Sequence, residues 1–338
     1  MGTPELPRMP PDRDAIGGYF ALEPAGVEQP TFHLAGHAFQ SARAAFLALL
    51  EARRPHRVWL PEFLCDSMAE PLAQAGVEEA RYALGPAFSP SKKIGLVPGD
   101  WLLAVNYFGL LNTAIDDFMA TYPPEQLVID NSQAFYAAPR SVLANLYSAR
   151  KFLGVADGGF VVGHDLALAD HAQDTGTPAR SAHLTLRRDQ QAEAGHAAFT
   201  QAEASLANQP PLRMSSITRE LIEHADHARI CEQRRRNYQM MAAHLDDLNE
   251  LSLPLAEGAI PLCYPFVARA STGLRQLLWN ARIYVPCYWP ELLDGRRAVP
   301  ARERRWASEL LALPVDQRYD ADGLAQDLVL PLRRLLAD

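Results

Sequence analysis

The amino-acid sequence predicts an α/β protein, with a large domain built on a mainly parallel sheet flanked by helices and a smaller C-terminal α+β domain. Three observations carry this reading. Short apolar runs alternate with helix-like stretches through the first half, the second half opens on a long amphipathic stretch, and 338 residues exceed what one small core holds.

The runs Val58–Leu60, Trp101–Val105, Leu127–Ile129 and Phe160–Val162 are apolar on consecutive positions, as strands buried on both faces must be. Between Ser41 and Glu51, residues Ala42, Ala45, Phe46, Leu49 and Leu50 recur at helical spacing and predict an amphipathic helix. From about Gly163 to Gln209 the pattern turns irregular and polar, which predicts loops and short helices, with Pro210 and Pro211 as a break. A long helix is expected from Ser216 to about Leu248, striped by Ile217, Leu221, Ala225, Ala228, Met241, Leu245 and Leu248. Short strands around Cys263–Val267 and Arg282–Val285 and a helical tail from Leu324 to Leu335 complete the second half.

Charge narrows the function classes. Forty acidic against 32 basic residues give a net charge of −8, which argues against a nucleic-acid surface and for small-molecule substrates. The one basic run, Arg234 to Arg236, reads as a solvated helix face or an interface. Four scattered cysteines without a CxxC pair fit reduced thiols, and no apolar leader or stretch of eighteen apolar residues is present. The expectation is a cytoplasmic protein with no membrane partner. His33 with His37, and His224 with His227, have spacings that a metal could use, but neither pair has a matching Cys or carboxylate set, so no metal site is expected. Tyr264 and Trp289 read as core or interface aromatics.

Three segments carry chemistry, each at the edge of an expected strand or helix. Asp130 directly follows the run Leu127–Ile129. A carboxylate placed there is costly unless it is paired, so it is either a turn residue or the partner of a protonated heterocyclic nitrogen. A pyridine ring kept charged in this way is the electron sink of pyridoxal phosphate (PLP) chemistry. Lys151 lies between the strand-like Leu146–Tyr147 and the glycines Gly158 and Gly159. It is either a surface charge or an amine able to form an imine with a carbonyl compound. Gln40, Ser41, Ala42 and Arg43 open the first helix, where free N–H groups, a hydroxyl and a guanidinium suit a phosphate as well as a plain N-cap. No Walker or dinucleotide glycine loop occurs.

The order of these segments resembles the DegT/DnrJ/EryC1/StrS sugar aminotransferases, within the fold-type-I PLP-dependent transferases. The resemblance runs from about Gly17 to Leu328. It rests on Gly17-Gly18-Tyr19-Phe20, Val58-Trp59-Leu60-Pro61, Val105-Asn106-Tyr107-Phe108-Gly109, Asp130-Asn131-Ser132-Gln133 and Lys151 with Asp157-Gly158-Gly159. Arg235-Arg236-Asn237-Tyr238 and Leu313-Pro314 with Tyr319 to Gly323 extend it. The resemblance implies that Lys151 is the Schiff-base lysine and proton shuttle, that Asp130 pairs with the pyridinium nitrogen, and that Gln133 lies near the phenolic oxygen. It also places Ser148 at a phosphate-contact spacing.

The chain departs from the family at several positions. Ala42-Arg43 replaces a glycine-threonine pair, so that Arg43 brings a charge in place of a hydroxyl. The ring-stacking aromatic falls on Cys65, with Phe63 close by. A serine five residues before the lysine falls on Leu146, and a partner-subunit asparagine falls near Pro211, beside the familiar Arg213-Met214-Ser215.

By this resemblance, residues 1–30 form an N-terminal segment near the active site, residues 31–210 the large PLP-binding domain and residues 211–338 the small domain. The activity implied is transfer of an amino group from an amino acid, glutamate foremost, to a nucleotide-linked keto-sugar, in a homodimer. Two other readings stay open: a PLP-dependent sugar dehydratase or lyase, and a non-catalytic binding or regulatory protein that has kept the fold.

Overall fold

The computed structural model describes residues 6–23, 26, 35–251, 253–268 and 273–337. His33 lies outside them. The chain order is β1 (Ile16–Gly17), β2 (His37–Phe39), α1 (Ala42–Arg53), β3 (Arg57–Pro61), α2 (Glu70–Ala75), β4 (Glu78–Tyr82), β5 (Asp100–Val105), α3 (Asn112–Thr121), β6 (Leu127–Asn131), β7 (Ala144–Ser148) and β8 (Gly159–Val162). There follow α4 (Thr177–Arg180), α5 (Ala182–Asp189), α6 (Ala192–Ala204), α7 (Ser216–Glu223), α8 (His227–Leu245), β9 (Cys263–Phe266), β10 (Ile283–Tyr284) and β11 (Leu311–Pro314), and the tail is helical from Ala321 to Ala337.

Seven strands form one sheet in the order β2-β8-β7-β6-β5-β3-β4. Strands β7, β6, β5, β3 and β4 pair in parallel, and β8 is antiparallel to both of its neighbours. All residues of β5, β6 and β7 are buried, which explains their apolar sequences: helices and loops cover both faces. The four expected apolar runs all lie within sheet strands. The two strands that sequence reading omits are β2, only three residues long, and β4, an edge strand whose Glu78 and Glu79 are exposed.

Helix α1 starts at Ser41, whose hydroxyl accepts the Ala44 N–H at 3.1 Å, and it buries eight of its twelve residues. The long helix expected from Ser216 to Leu248 is two helices. Asp226 caps a new start by accepting the Arg229 N–H, so α8 begins afresh after a break at 224–226. Arg234 corrects the reading of the basic run as a solvated face, because it is fully buried. It donates to the carbonyls of Pro261 and Leu262 and to Gln317, and its guanidinium lies 4.5 Å from the Phe152 ring centre. Arg236 alone has the surface character expected of that run, pairing with Glu232.

Beyond the sheet, β11 pairs antiparallel with β9, and β1 pairs in parallel with β10, which ties the N-terminal segment to the C-terminal part. After residue 210 the chain still runs along the large sheet: Gln40 donates to the Leu212 carbonyl and Met214 to that of Ala38. Among the described residues, no helix is long and apolar enough to cross a membrane.

Candidate active site

Because β6 and β7 are parallel neighbours, their carboxyl ends share one edge of the sheet. Asp130 stands opposite Leu146 and Asn131 opposite Tyr147, and Ser148 ends β7 three residues before Lys151. The chain then makes a tight 3-10 turn, Ala149–Lys151, in which the Phe152 and Leu153 N–H groups return to the Ala149 carbonyl.

The loop behind Lys151 is held from several sides. Ala149 donates to the Gly158 carbonyl, and Gly158, at φ +115, donates to that of Gln40. Asp157 is fully buried and accepts from Thr177 Oγ1, from the N–H and hydroxyl of Ser215, and from Thr218 Oγ1. These bonds fasten the loop to the start of α7. On the other side, the Gly154 N–H donates to Glu23, whose second oxygen accepts from Gln317. Burial raises the Glu23 pKa.

Asp130 is buried, and its Oδ1 accepts the Ser132 N–H at 2.8 Å. Gln133 accepts the Phe108 N–H at 2.8 Å, which supports a residue held at a positive φ of 59°. Gln133 Nε2 and Ser132 Oγ are buried without a hydrogen-bond partner among the described residues. Unpaired donors beside a buried carboxylate are costly and mark a place for a polar ligand. Cys65 joins this group. Burial raises its thiol pKa, the nearby Lys151 charge opposes the rise, and Asp130 adds to it, so one sulfur feels both residues.

The other expected site residues divide. Ser148 is buried and, with Lys151, lines a cavity of about 760 Å³ between the N-terminal segment, α5, α6 and the C-terminal strands. Asp130, Gln133, Ser41, Ala42, Arg43, Phe63 and Cys65 lie outside that lining. Ser41 is the α1 cap, and Ala42 is buried at its first turn. Arg43 is already paired with Glu70 at 2.9 Å. The Phe63 ring is fully buried, edge-on to Trp289 at 4.3 Å and beside Tyr107 and Trp306, within an aromatic core. Tyr264 and Trp289 are buried, as read from sequence. His227 bonds to Tyr136 and to the Ile222 carbonyl, and His224 to the Glu220 carbonyl, so both imidazoles have protein partners.

Sequence reasoning missed Arg150, Tyr19 and His183, all of which line the cavity. Arg150 was visible as a second cation beside Lys151, whereas His183 lies in the irregular stretch and gives no local signal. Its ring packs edge-on against Tyr19 and Phe199, and burial pushes its pKa down to about 4, so it is neutral at pH 7.

No family model and no curated protein matches the chain. Solved structures do. The aminotransferase TlmJ from Streptoalloteichus hindustanus superposes with a TM-score of 0.63 at 16% identity, over 89% of this chain and 85% of that one. PseC from Helicobacter pylori, an aminotransferase of pseudoaminic acid biosynthesis, gives 0.62 at 11% identity over 96% and 100%. Spr1654 from Streptococcus pneumoniae in its PMP form gives 0.63 at 10% identity over 89% and 87%. The chain has the fold of these proteins, a seven-stranded, mainly parallel sheet flanked by helices.

Proposed function

We propose that this chain is a PLP-dependent aminotransferase that moves an amino group from an amino acid, glutamate foremost, to a keto-sugar, nucleotide-linked in the fullest form of the reading. The observation that carries it is that Asp130 ends β6 and Lys151 follows the end of the parallel neighbour β7, with Gln133 Nε2 and Ser132 Oγ buried and unpaired just after Asp130. The fit to the cofactor is good at the ring end: an anion for its nitrogen, a free amide donor and a lysine within one neighbourhood.

Lys151 would hold the cofactor through a Schiff base at Nζ, Asp130 would keep its ring nitrogen protonated, and the Gln133 amide would donate to its phenolic oxygen. When bound, PLP supplies the electron sink and carries the amino group. Lys151 Nζ is then the group that takes a proton from the donor and returns one to the product. The cavity beside Lys151 and Ser148 would receive both substrates in turn. The reading includes a cytoplasmic homodimer, as the family resemblance implies.

The test is the visible spectrum of the purified protein with PLP, compared with Lys151→Ala. An imine band in the wild type, absent from the variant and bleached by glutamate, is the expected result. A keto-sugar nucleotide should then restore it. A band that glutamate leaves unchanged means a different donor or a lyase. No band at saturating PLP means a binding protein, a reading to which the buried Phe63 and the paired Arg43 also lend support.

A further inference from the structure

Resting on the cofactor reading above, we propose that Arg150, and not Arg43, supplies the positive charge for a phosphate monoester bound between Ser148 and the start of α1. Ser148 pairs in register with Gly159, and Gly159 lies directly against the Ser41–Ala42 backbone, so the end of β7 and the start of α1 are adjacent. The first turn of this twelve-residue helix leaves the Ala42 and Arg43 N–H groups outside the helical ladder. Ser148 is 7% exposed, and its hydroxyl has no hydrogen bond among the described residues. Arg150 lines the same cavity as Ser148, and its Nε is buried without a partner.

The two candidate arginines differ in how firmly they are held. Arg43 pairs with Glu70, and both side chains are about one-fifth exposed. Glu70 also accepts the Asn208 N–H at 2.5 Å, so the acid is fixed from two sides. Arg150 pairs with Glu203, whose side chain is 45% exposed, against 17% for the arginine. A phosphate arriving at Arg150 releases a carboxylate that already stands half in water, at little cost. The Arg150 guanidinium itself sits where burial pushes its pKa down to about 10, and an anion beside it offsets that penalty. Of the charges that act on it, the buried Asp157 carboxylate comes first, with Arg180 and Arg43 opposing it. The phosphate would therefore receive backbone N–H groups, one hydroxyl and one guanidinium.

The experiment titrates PLP and pyridoxal, which lacks the phosphate, into wild type, Arg150→Gln, Arg43→Gln and Glu203→Gln, and reads the visible band. Arg150→Gln should weaken PLP about tenfold or more and leave pyridoxal within about twofold, as loss of a charge-assisted contact predicts. Arg43→Gln should change PLP by less than about threefold, because Glu70 already neutralises it. Glu203→Gln should tighten PLP and leave pyridoxal unchanged, an outcome readable even if Arg150→Gln folds poorly. Equal weakening of both ligands by Arg150→Gln, or a larger loss from Arg43→Gln, overturns the proposal. If wild type forms no band at all, the cofactor reading fails. Inorganic phosphate then decides the anion site: it should raise the melting temperature of wild type and not of Arg150→Gln, and an equal rise in both overturns it.

Discussion

Gly159 leaves its side-chain space to the backbone of Ser41: a Cβ at position 159 would stand 2.0 Å from the Ser41 carbonyl carbon and 2.1 Å from the Ala42 nitrogen. The strand that follows the lysine loop is thus pressed onto the start of α1. The bond from Gly158 N–H to the Gln40 carbonyl closes the same contact. Two segments more than a hundred residues apart in sequence meet there, with only backbone between them.

Gly159→Ala must push α1 and β8 apart, since both obstructing atoms are main chain. The expected cost is about 1–3 kcal/mol of stability, as for other overpacked interiors, together with weaker PLP binding. Urea unfolding of wild type and variant measures it. An unchanged midpoint would show that the segment yields freely.

Asp157→Ala leaves the Ser215 N–H and hydroxyl and the Thr177 and Thr218 hydroxyls without their common acceptor. Each stranded buried donor costs about 1–3 kcal/mol, so a large fall in melting temperature is expected. Asp157→Asn keeps one accepting oxygen and should fall less. Equal losses in the two variants would mean that the charge of Asp157, not its acceptor count, holds the loop to α7.

His183 should make the wild type lose stability as pH falls from about 6.5 to about 4. Its folded pKa is depressed to about 4 by burial, so across that window the unfolded chain binds a proton that the folded chain refuses. Below pH 4 the loss levels off. His183→Phe keeps the ring between Tyr19 and Phe199 and should flatten this part of the curve. Denaturant midpoints taken at pH 7, 6, 5 and 4 check it, and parallel curves for the two proteins would contradict it.

Glu193 acts in a lower window. Its hydrogen bonds from Arg282 and Tyr284 hold its pKa down to about 2. That stability is present above the unfolded value of about 4.5 and is lost as pH falls through about 2. The side chain is 44% exposed, so Glu193→Gln should cost less than about 1 kcal/mol at pH 7. The difference from wild type should vanish at the acid end. Salt should shrink it as well, and a difference that persists below pH 2 would assign the effect to packing.

How far the fold and site were legible follows from which residues act locally. The strands β3, β5, β6 and β8 could be read because burial on both faces forces apolar residues onto consecutive positions, which is a property of the segment itself. The short β2 and the glutamate-bearing edge strand β4 lack that property, and their pairing depends on neighbours distant in the chain. The break between α7 and α8 hid because the apolar spacing continues through it. Only the cap by Asp226 and the bonds of His227 mark the stop.

The sequence by itself determined strands β3, β5, β6 and β8 and helix α1, and it set Asp130 directly after one apolar run and Lys151 shortly after the strand-like Leu146–Tyr147. Tertiary structure alone decided where several other side chains went. Phe63 became core because Trp289 and Trp306 close over it, Arg43 was neutralised by Glu70, and Arg234 was drawn inside by the carbonyls of Pro261 and Leu262. The reason is physical. Secondary structure answers to the periodicity of a short stretch, whereas burial and charge pairing are settled by residues that only the folded chain brings together.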